Sequence, residues 1–357
     1  MRVVLSGGGT AGHINPALAI AKYIQKHEKE SEILFIGTKA GMEATLIPKA
    51  GFEMEYIDID NLKRRITLEN VKTAVKLVKS SRDSVKILKE FKPDVVIGTG
   101  GYVCGPVMMA AQKLKIPSII HEQNVPPGLV VRKIAPSVDI TAISFEETRK
   151  YLKNAKRVVL TGNPIREGIL NISPIHTAKP LVLVSGGSLG AARINDALYE
   201  LLTMSGQDGY DILASVGKRY YDGFMQKLKD NNIDLPEGKT VMPYIYNMDE
   251  ALAKAKIAVT RAGAITVSEL CAIGKPAIVI PSPNVAHDHQ TKNAEFMADK
   301  GAAVMIKEEN LSGNILADKI KELLASEKKL NEMHRAGLEI GITNASEKIY
   351  ELCRELI

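Results

Sequence analysis

The sequence has 357 residues, 45% apolar and 25% charged, with a formal net charge of +6. That length exceeds one comfortable hydrophobic core, so two globular domains are expected. The charge is mild and no nucleic-acid-binding motif is present, so no nucleic-acid partner is expected; three distant cysteines, Cys104, Cys271 and Cys353, lack metal-ligand spacing and read as small apolar residues of a reducing compartment.

Met1-Arg2-Val3-Val4-Leu5 is too short in apolar residues to read as a signal peptide. Residues 2–5 read instead as a strand that runs into Ser6-Gly7-Gly8-Gly9-Thr10-Ala11-Gly12-His13. A glycine-rich turn between a strand and a helix lets backbone N–H groups approach a phosphate, with the positive end of the helix behind them. Pro16 falls in the first turn of the helix that follows, where a missing N–H is harmless. Further strands are expected at 33–36, 95–97, 118–120 and 139–142, with helices between them. From Val95 to Gln112 no residue is charged, but Gly98, Gly100, Gly101, Gly105 and Pro106 would break a membrane-spanning helix. The segment reads as a buried strand at 95–97, a glycine loop, and a helix over 107–114.

A turn-rich run, Thr161-Gly162-Asn163-Pro164, marks the expected domain boundary: 1–162 for the first domain and 163–342 for the second. The second half repeats the scheme. Strands are expected at 181–184, 211–215, 239–241, 257–260 and 277–280, and helices at 192–204, 221–230, 249–255, 265–272 and 290–300. The first of those strands leads into a second glycine loop, Ser185-Gly186-Gly187-Ser188-Leu189-Gly190-Ala191. A last helix, within 343–357, has no strand after it and is expected to pack back on the first domain. Alternating strands and helices imply parallel, doubly wound sheets, and two phosphate-type loops imply a cleft between two nucleotide-type domains.

Gly7, Gly9 and Gly12 satisfy the dinucleotide spacing, but the second strand ends Phe35-Ile36-Gly37-Thr38 without the carboxylate that would hold a ribose. His13 stands where a Walker lysine would be needed, so ATP hydrolysis is poorly supported too. A carboxylate appears instead at Glu269, on a helix just after the turn Arg261-Ala262-Gly263, where it could accept hydrogen bonds from two ribose hydroxyls or merely complement the helix dipole.

Seven blocks in order carry a resemblance: the Gly7–His13 loop, Gly98-Thr99-Gly100-Gly101-Tyr102, His121-Glu122-Gln123-Asn124, Gly162-Asn163-Pro164-Ile165-Arg166, the Gly186–Ala191 loop, Arg261-Ala262-Gly263 through Glu269, and Gln290-Thr291-Lys292-Asn293-Ala294. Over nearly its whole length the chain resembles the MurG family of bacterial peptidoglycan N-acetylglucosaminyltransferases, departing at Ala11, where that family often has glycine. The resemblance implies an α/β, glycosyltransferase B fold: two Rossmann-like, doubly wound parallel-sheet domains facing across a cleft. It implies an inverting transfer of N-acetylglucosamine from UDP-N-acetylglucosamine to the 4-hydroxyl of the N-acetylmuramyl-pentapeptide of lipid I, giving lipid II for peptidoglycan synthesis. Another UDP-sugar enzyme of the same fold, a lipid glucosyltransferase or a 2-epimerase, is the alternative. Neither a cofactor nor a metal is implied. Asp58/Asp60 and the run His287-Asp288-His289 have the residue types for metal binding, yet read more simply as exposed polar residues.

By the same resemblance Ser188, with the amides around Gly187 and Gly190, would hold the diphosphate, and Arg166 the donor charge or sugar. Ile245 would line the uracil slot, Glu269 take the ribose, Gln290 and Asn124 read sugar hydroxyls, and Thr10, Ala11 and Gly12 close over the sugar or the acceptor phosphate. For the base, His13 at a helix start is favoured, because the local positive field keeps its imidazole neutral; the alternative is Glu122, with His13 orienting the acceptor. A membrane-anchored acceptor further implies a peripheral protein on the cytoplasmic side. Asn61-Leu62-Lys63-Arg64-Arg65, with Lys72, Lys76, Lys79, Arg82, Lys86 and Lys89, forms a basic stripe suited to an anionic leaflet, beside an apolar face of Val71, Ala74, Val75, Val78, Val85 and Leu88.

Overall fold

The computed structural model describes residues 1–60, 68–187, 189–204 and 209–357, with side chains from residue 75 onward in the helix that begins at 68. The chain divides into two compact units, Met1–Ile165 with Ile342–Ile357, and Arg166–Gly341.

Unit 1 runs β1 (Arg2–Gly7), α1 (Ala11–His27), β2 (Glu32–Gly37), α2 (Glu43–Lys49), β3 (Glu53–Tyr56), α3 (Leu68–Phe91), β4 (Val95–Gly100), α4 (Cys104–Leu114), β5 (Ser118–Glu122), α5 (Leu129–Ile134), β6 (Ile140–Ile143) and β7 (Val158–Leu160). Its seven strands lie in the order β3-β2-β1-β4-β5-β6-β7, every pairing parallel. The central strands are continuous apolar runs because both faces are covered. Val3 and Leu5, Val95 and Ile97, and Ile119 point to one face; Val4, Val96 and Ile120 point to the other. On the first face α1 buries Ile14, Ala17, Ile20, Ala21 and Ile24 at spacings of three and four.

Unit 2 begins with α6 (Glu167–Leu170), β8 (Leu181–Ser185), α7 (Ala192–Met204), β9 (Asp211–Ser215), α8 (Lys218–Asp230), β10 (Lys239–Met242) and α9 (Met248–Lys254). It continues with β11 (Ala255–Thr260), α10 (Ala264–Ala272), β12 (Ala277–Val279), α11 (His289–Asp299), β13 (Ala303–Met305), α12 (Gly313–Leu324) and α13 (Glu327–Ile340). Its sheet, β10-β9-β8-β11-β12-β13, is also parallel throughout. Ile194, Leu198, Leu201 and Leu202 of α7 pack on Val182, Val184, Ile257 and Val259.

The last helix, α14 (Ala345–Leu356), belongs to unit 1. Ile349, Leu352 and Cys353 enter the core beside α1. Tyr350 Oη donates to Glu28 Oε1 at 2.8 Å, and Arg354 reaches the same oxygen at 2.7 Å.

Three strands were not anticipated: β3, β7 and β13. All lie at sheet edges, and two have only three residues. The glycines after Ile97 are also not a loop at first, since β4 continues to Gly100. Its register on β1 shifts there, pairing Ser6 with Gly98 and Gly7 with Gly100. Thr99 is thus the extra residue of a bulge, a device that re-aims a residue away from the ladder.

Candidate functional site

In a doubly wound sheet, ligands bind beyond the carboxyl ends of the strands where the strand order reverses. In unit 1 that point lies between β1 and β4, and in unit 2 between β8 and β11. The four loops leaving these strands carry Gly7–His13, Gly98–Tyr102, the 185–191 run and the 260–263 turn.

The two loops of unit 1 interlock through glycine. A Cβ on Gly101, whose φ is +81°, would sit 2.2 Å from the Gly8 carbonyl oxygen. One on Gly100, at φ +95°, would sit 2.9 Å from the His13 ring. The absence of side chains here makes room for that ring. His13 lies in the first turn of α1, and its Nδ1 faces two oxygens, the Thr99 carbonyl at 3.1 Å and Gln123 Oε1 at 3.0 Å. Facing two acceptors, Nδ1 carries the proton, which leaves the lone pair on Nε2. Thr99 Oγ1 donates in return to the His13 carbonyl at 2.8 Å. Burial pushes the imidazole below its ordinary pKa, against the smaller upward pull of these two hydrogen bonds. The ring is therefore neutral near pH 7 mainly through desolvation, rather than through the helix field alone.

Glu122, at the end of β5, is buried. Its Oε1 accepts from the Asn124 backbone N–H at 2.9 Å and side-chain amide at 3.2 Å, and its Oε2 accepts from the Gly128 N–H at 2.8 Å. Gly128 is the N-cap of α5, so this carboxylate ties the loop after β5 to the next helix. Asn124 is half-buried and held by that carboxylate. Thr10 and Gly12 are exposed and Ala11 is half-buried; together they form the exposed entry to α1.

Glu43, to which the sequence drew no attention, is fully buried behind the glycine loop. Its Oε2 accepts the Gly9 N–H at 3.0 Å, while Oε1 accepts the Thr38 N–H at 3.2 Å and the Thr38 hydroxyl at 2.7 Å. The Gly9 amide thus points back into the protein, not toward a phosphate. The signal was present in Gly37-Thr38-Lys39-Ala40-Gly41-Met42-Glu43, but the acid lies six residues beyond the strand end where a ribose-binding carboxylate was sought.

In unit 2, Glu269 lies on α10 with its side chain 12% exposed, and Arg166 Nε donates to its Oε1 at 3.2 Å. Burial raises the Glu269 carboxyl pKa; Arg166 counters this, and Asp249 adds a smaller upward push. Asp249 lies 3.6 Å from Arg166 Nη1, so the arginine stands between two acids. Ile245 is buried in the loop after β10. Its neighbours Tyr244 and Tyr246 pack edge to face at 4.9 Å, with Lys218 Nζ within 6 Å of both rings. A cavity of about 600 Å³ opens there, lined by Leu189, Gly190, Lys218, Arg219, Tyr220 and Tyr244. Gln290, in the first turn of α11, accepts the Ser282 N–H at 2.9 Å through Oε1, which leaves its NH₂ to donate. Ser188 lies outside the described residues. The amides expected to share its role are engaged within the loop, Gly187 N–H with Ser185 Oγ at 3.3 Å and Gly190 N–H with the Gly187 carbonyl at 3.0 Å.

Asp58 and Asp60 both pair with Lys76, at 3.0 and 2.8 Å. Asp288 accepts from Thr291 Oγ1 at 2.6 Å, and His289 Nδ1 donates to the Ala286 carbonyl at 2.8 Å. Among the described residues no group of three or more His, Cys, Asp or Glu is placed to hold a metal ion.

A model of the glycosyltransferase family 28 N-terminal domain matches residues 3–143, and one of the family's C-terminal domain matches residues 181–351. The chain belongs to glycosyltransferase family 28. Among the relatives of this family 28 chain, an Acetivibrio thermocellus protein is 46% identical over 369 residues, spanning 100% of this chain and 98% of that protein. It is named UDP-N-acetylglucosamine–N-acetylmuramyl-(pentapeptide) pyrophosphoryl-undecaprenol N-acetylglucosamine transferase. A protein of the same name from Caldanaerobacter subterraneus is 45% identical over 364 residues, spanning 100% of each. The crystal structure of Acinetobacter baumannii MurG superposes with a TM-score of 0.80 at 29% identity, over 99% of each chain. The two doubly wound units of this family 28 chain are those of the glycosyltransferase B fold.

Proposed function

We propose that the chain is the inverting glycosyltransferase that moves N-acetylglucosamine from UDP-N-acetylglucosamine to the 4-hydroxyl of the N-acetylmuramyl-pentapeptide carried on undecaprenyl diphosphate. The observation that carries this reading is the full-length 46% identity to a transferase so named. His13 supplies the matching chemistry: a neutral imidazole whose Nε2 is free to accept a proton, at the switch point of unit 1.

Inversion requires one displacement. His13 Nε2 takes the proton of the 4-hydroxyl as its oxygen attacks the anomeric carbon, and the bond to the diphosphate breaks with its electrons going to the departing oxygen. A base positioned in this way contributes about 10²–10⁴-fold. His13 is the better candidate than Glu122, whose two oxygens already accept main-chain N–H groups and which would have to surrender the loop to act. Unit 2 takes the donor. Its buried, arginine-steered Glu269 is suited to two vicinal hydroxyls, and the Ile245 loop beside the cavity to a uracil edge. Arg166, set between two carboxylates, orients Glu269 at least as much as it holds donor charge. Gln290 donates to sugar oxygens through its NH₂, and Asn124 serves the sugar through its amide. The exposed turn at Thr10, Ala11 and Gly12 closes on the acceptor side. The first turn of α7, equivalent to roughly half a positive charge, meets the charge of the leaving diphosphate together with Ser188.

No described helix is long and apolar enough to cross a membrane. We place the enzyme peripherally, on the cytoplasmic face, with α3 toward the lipid. Lys79, Arg82, Lys86 and Lys89 are exposed along one side of α3, and Val75 and Val78, in its first half, are exposed rather than packed inward. The inward side instead buries Ser80, Ser84 and Leu88. Lys76 is tied to Asp58 and Asp60 and adds little free charge, while 61–65 and the side chains of Val71, Lys72 and Ala74 lie outside the described residues.

The test is transfer of radiolabel from UDP-N-acetylglucosamine to a lipid I analogue by the purified chain. Transfer that fails with this pair but proceeds from UDP-glucose to diacylglycerol, or epimerisation of the donor, would reject the assignment. In His13→Ala, turnover should drop at least about a hundredfold while donor affinity holds.

A further inference from the structure

Gln123 has no role in the chemistry described so far, yet its side chain is buried and hydrogen-bonded to His13, to the Thr99 carbonyl that His13 also faces, and to His121. We infer that Gln123, braced by His121 and by the bulged Thr99, is a positioning residue that fixes the His13 ring with its proton on Nδ1 and its lone pair on Nε2. The inference rests on the reading of His13 as base.

The orientation of the amide follows from its neighbours. Its nitrogen lies 2.8 Å from the Thr99 carbonyl and 3.3 Å from the His121 carbonyl, both of which only accept. A flipped amide would set oxygen against oxygen at both, so the nitrogen side is fixed. The same NH₂ lies 2.9 Å from His121 Nδ1, which must therefore accept. His121 then carries its proton on Nε2 and donates it to the Gly162 carbonyl at 2.9 Å. With the nitrogen committed, Gln123 Oε1 is left facing His13 Nδ1, which must donate. One chain of hydrogen bonds, Gly162–His121–Gln123–His13, thus assigns every proton along it.

The backbone holds the chain in place. Thr99 sits at the register shift, and its carbonyl oxygen accepts from both His13 and Gln123. Asn163 Nδ2 donates to the Gln123 carbonyl at 3.0 Å. A neutral amide suits this place. When His13 takes a proton, two oxygens stabilise Nδ1–H, yet no buried carboxylate raises the resting pKa and fills the site with a proton beforehand.

The test uses the full-length chain labelled with ¹⁵N, where ring nitrogen shifts report which nitrogen bears the proton. In the wild type, His13 should be protonated on Nδ1 and bare on Nε2. Gln123→Met keeps the length of the side chain without the amide. It should give mixed tautomers at His13 and cut kcat at least about tenfold, with KM for UDP-N-acetylglucosamine within about twofold. Gln123→Glu is isosteric but places a carboxylate on Nδ1, and should move the acid limb of the kcat profile to higher pH. A wild-type His13 protonated on Nε2, or a Gln123→Met enzyme with unchanged tautomer and kcat, would overturn the inference. If the tautomer responds to Gln123→Met as expected but His13→Ala retains turnover, the positioning stands and the base assignment fails.

Discussion

Glu43 offers a direct test of how the glycine loop is shaped. Its carboxylate accepts three donors, the Gly9 N–H, the Thr38 N–H and the Thr38 hydroxyl, and is fully buried. In Glu43→Gln only one oxygen remains. It best serves the two Thr38 donors, which turns the new NH₂ toward the Gly9 N–H, donor against donor. A partly buried amide left without an acceptor costs at most about 1–3 kcal/mol, and a value near 2 kcal/mol corresponds to roughly thirtyfold in an opening equilibrium. Hydrogen exchange of the Gly9 amide should accelerate by about that factor, and denaturant unfolding of unit 1 should shift to lower concentration. Turnover should fall, because Thr10, Ala11 and Gly12 follow directly from Gly9. Donor affinity should hold, because the residues proposed for the donor, Glu269, Ile245 and Gln290, lie in unit 2. Unchanged exchange at Gly9 with unchanged unfolding would refute the clamp; a loss of donor affinity would refute the division of roles between the units.

Burial depresses the His121 pKa to about 4, so between that value and about 6.5 the unfolded chain binds the extra proton. The stability due to a neutral His121 should be complete above about pH 6.5 and lost as pH falls toward 4, by about 3 kcal/mol in all, and urea titrations across that range should show the slope, flattened in His121→Gln. Gly100→Ala places a Cβ 2.9 Å from His13 Nδ1 at a φ of +95°; it should cost about 1–3 kcal/mol in unit 1 and lower kcat without changing donor KM. Glu269→Gln should raise donor KM about tenfold or more, and Arg166→Ala should make donor KM rise as pH falls, because the Glu269 carboxyl loses the charge that holds its pKa down. Lys79→Glu with Lys86→Glu should weaken binding to vesicles rich in anionic lipid by at least about 2 kcal/mol, and equal binding to anionic and neutral vesicles would remove α3 as the contact.

The alternation of strands and helices was legible because the central strands are mainly apolar runs and the longer helices, such as α1 and α7, carry a three-four periodicity. The edge strands were not, since β3 reads Glu53-Met54-Glu55-Tyr56 and β7 and β13 are too short to show a period. His13, Glu269 and the glycine loops stood out through chemistry that is local in sequence. Glu43, Gln123 and Thr99 did not, because each acts at long range: Glu43 on Gly9, 34 residues away, and Gln123 on His13, 110 residues away. A bulge cannot be read from a run of Gly-Thr-Gly-Gly, since it exists only relative to the neighbouring strand.

The two units surround the same kind of switch point with different chemistry. In unit 1 the glycines around the switch point serve packing: Gly8 against Gly101 and Gly100 against His13 are approaches that any Cβ would block, and the Gly9 amide turns inward to a carboxylate. In the proposed function His13 Nε2 is then the group that takes the proton of the alcohol. In unit 2, Cβ atoms on Gly186 and Gly190 would likewise be blocked, by the Ala191 N–H and the Val216 carbonyl, while those on Gly187 and Gly263 would meet no close contact; Lys218 and Arg219 line the cavity beside Gly190. Cations beside a glycine loop fit a doubly charged diphosphate better than a neutral hydroxyl. Under the proposed function the same Gly-Gly-x sequence signature would serve the acceptor in one half and the donor in the other, and what separates the halves is the chemistry beside each loop: a buried carboxylate and an imidazole in unit 1, a lysine and an arginine in unit 2.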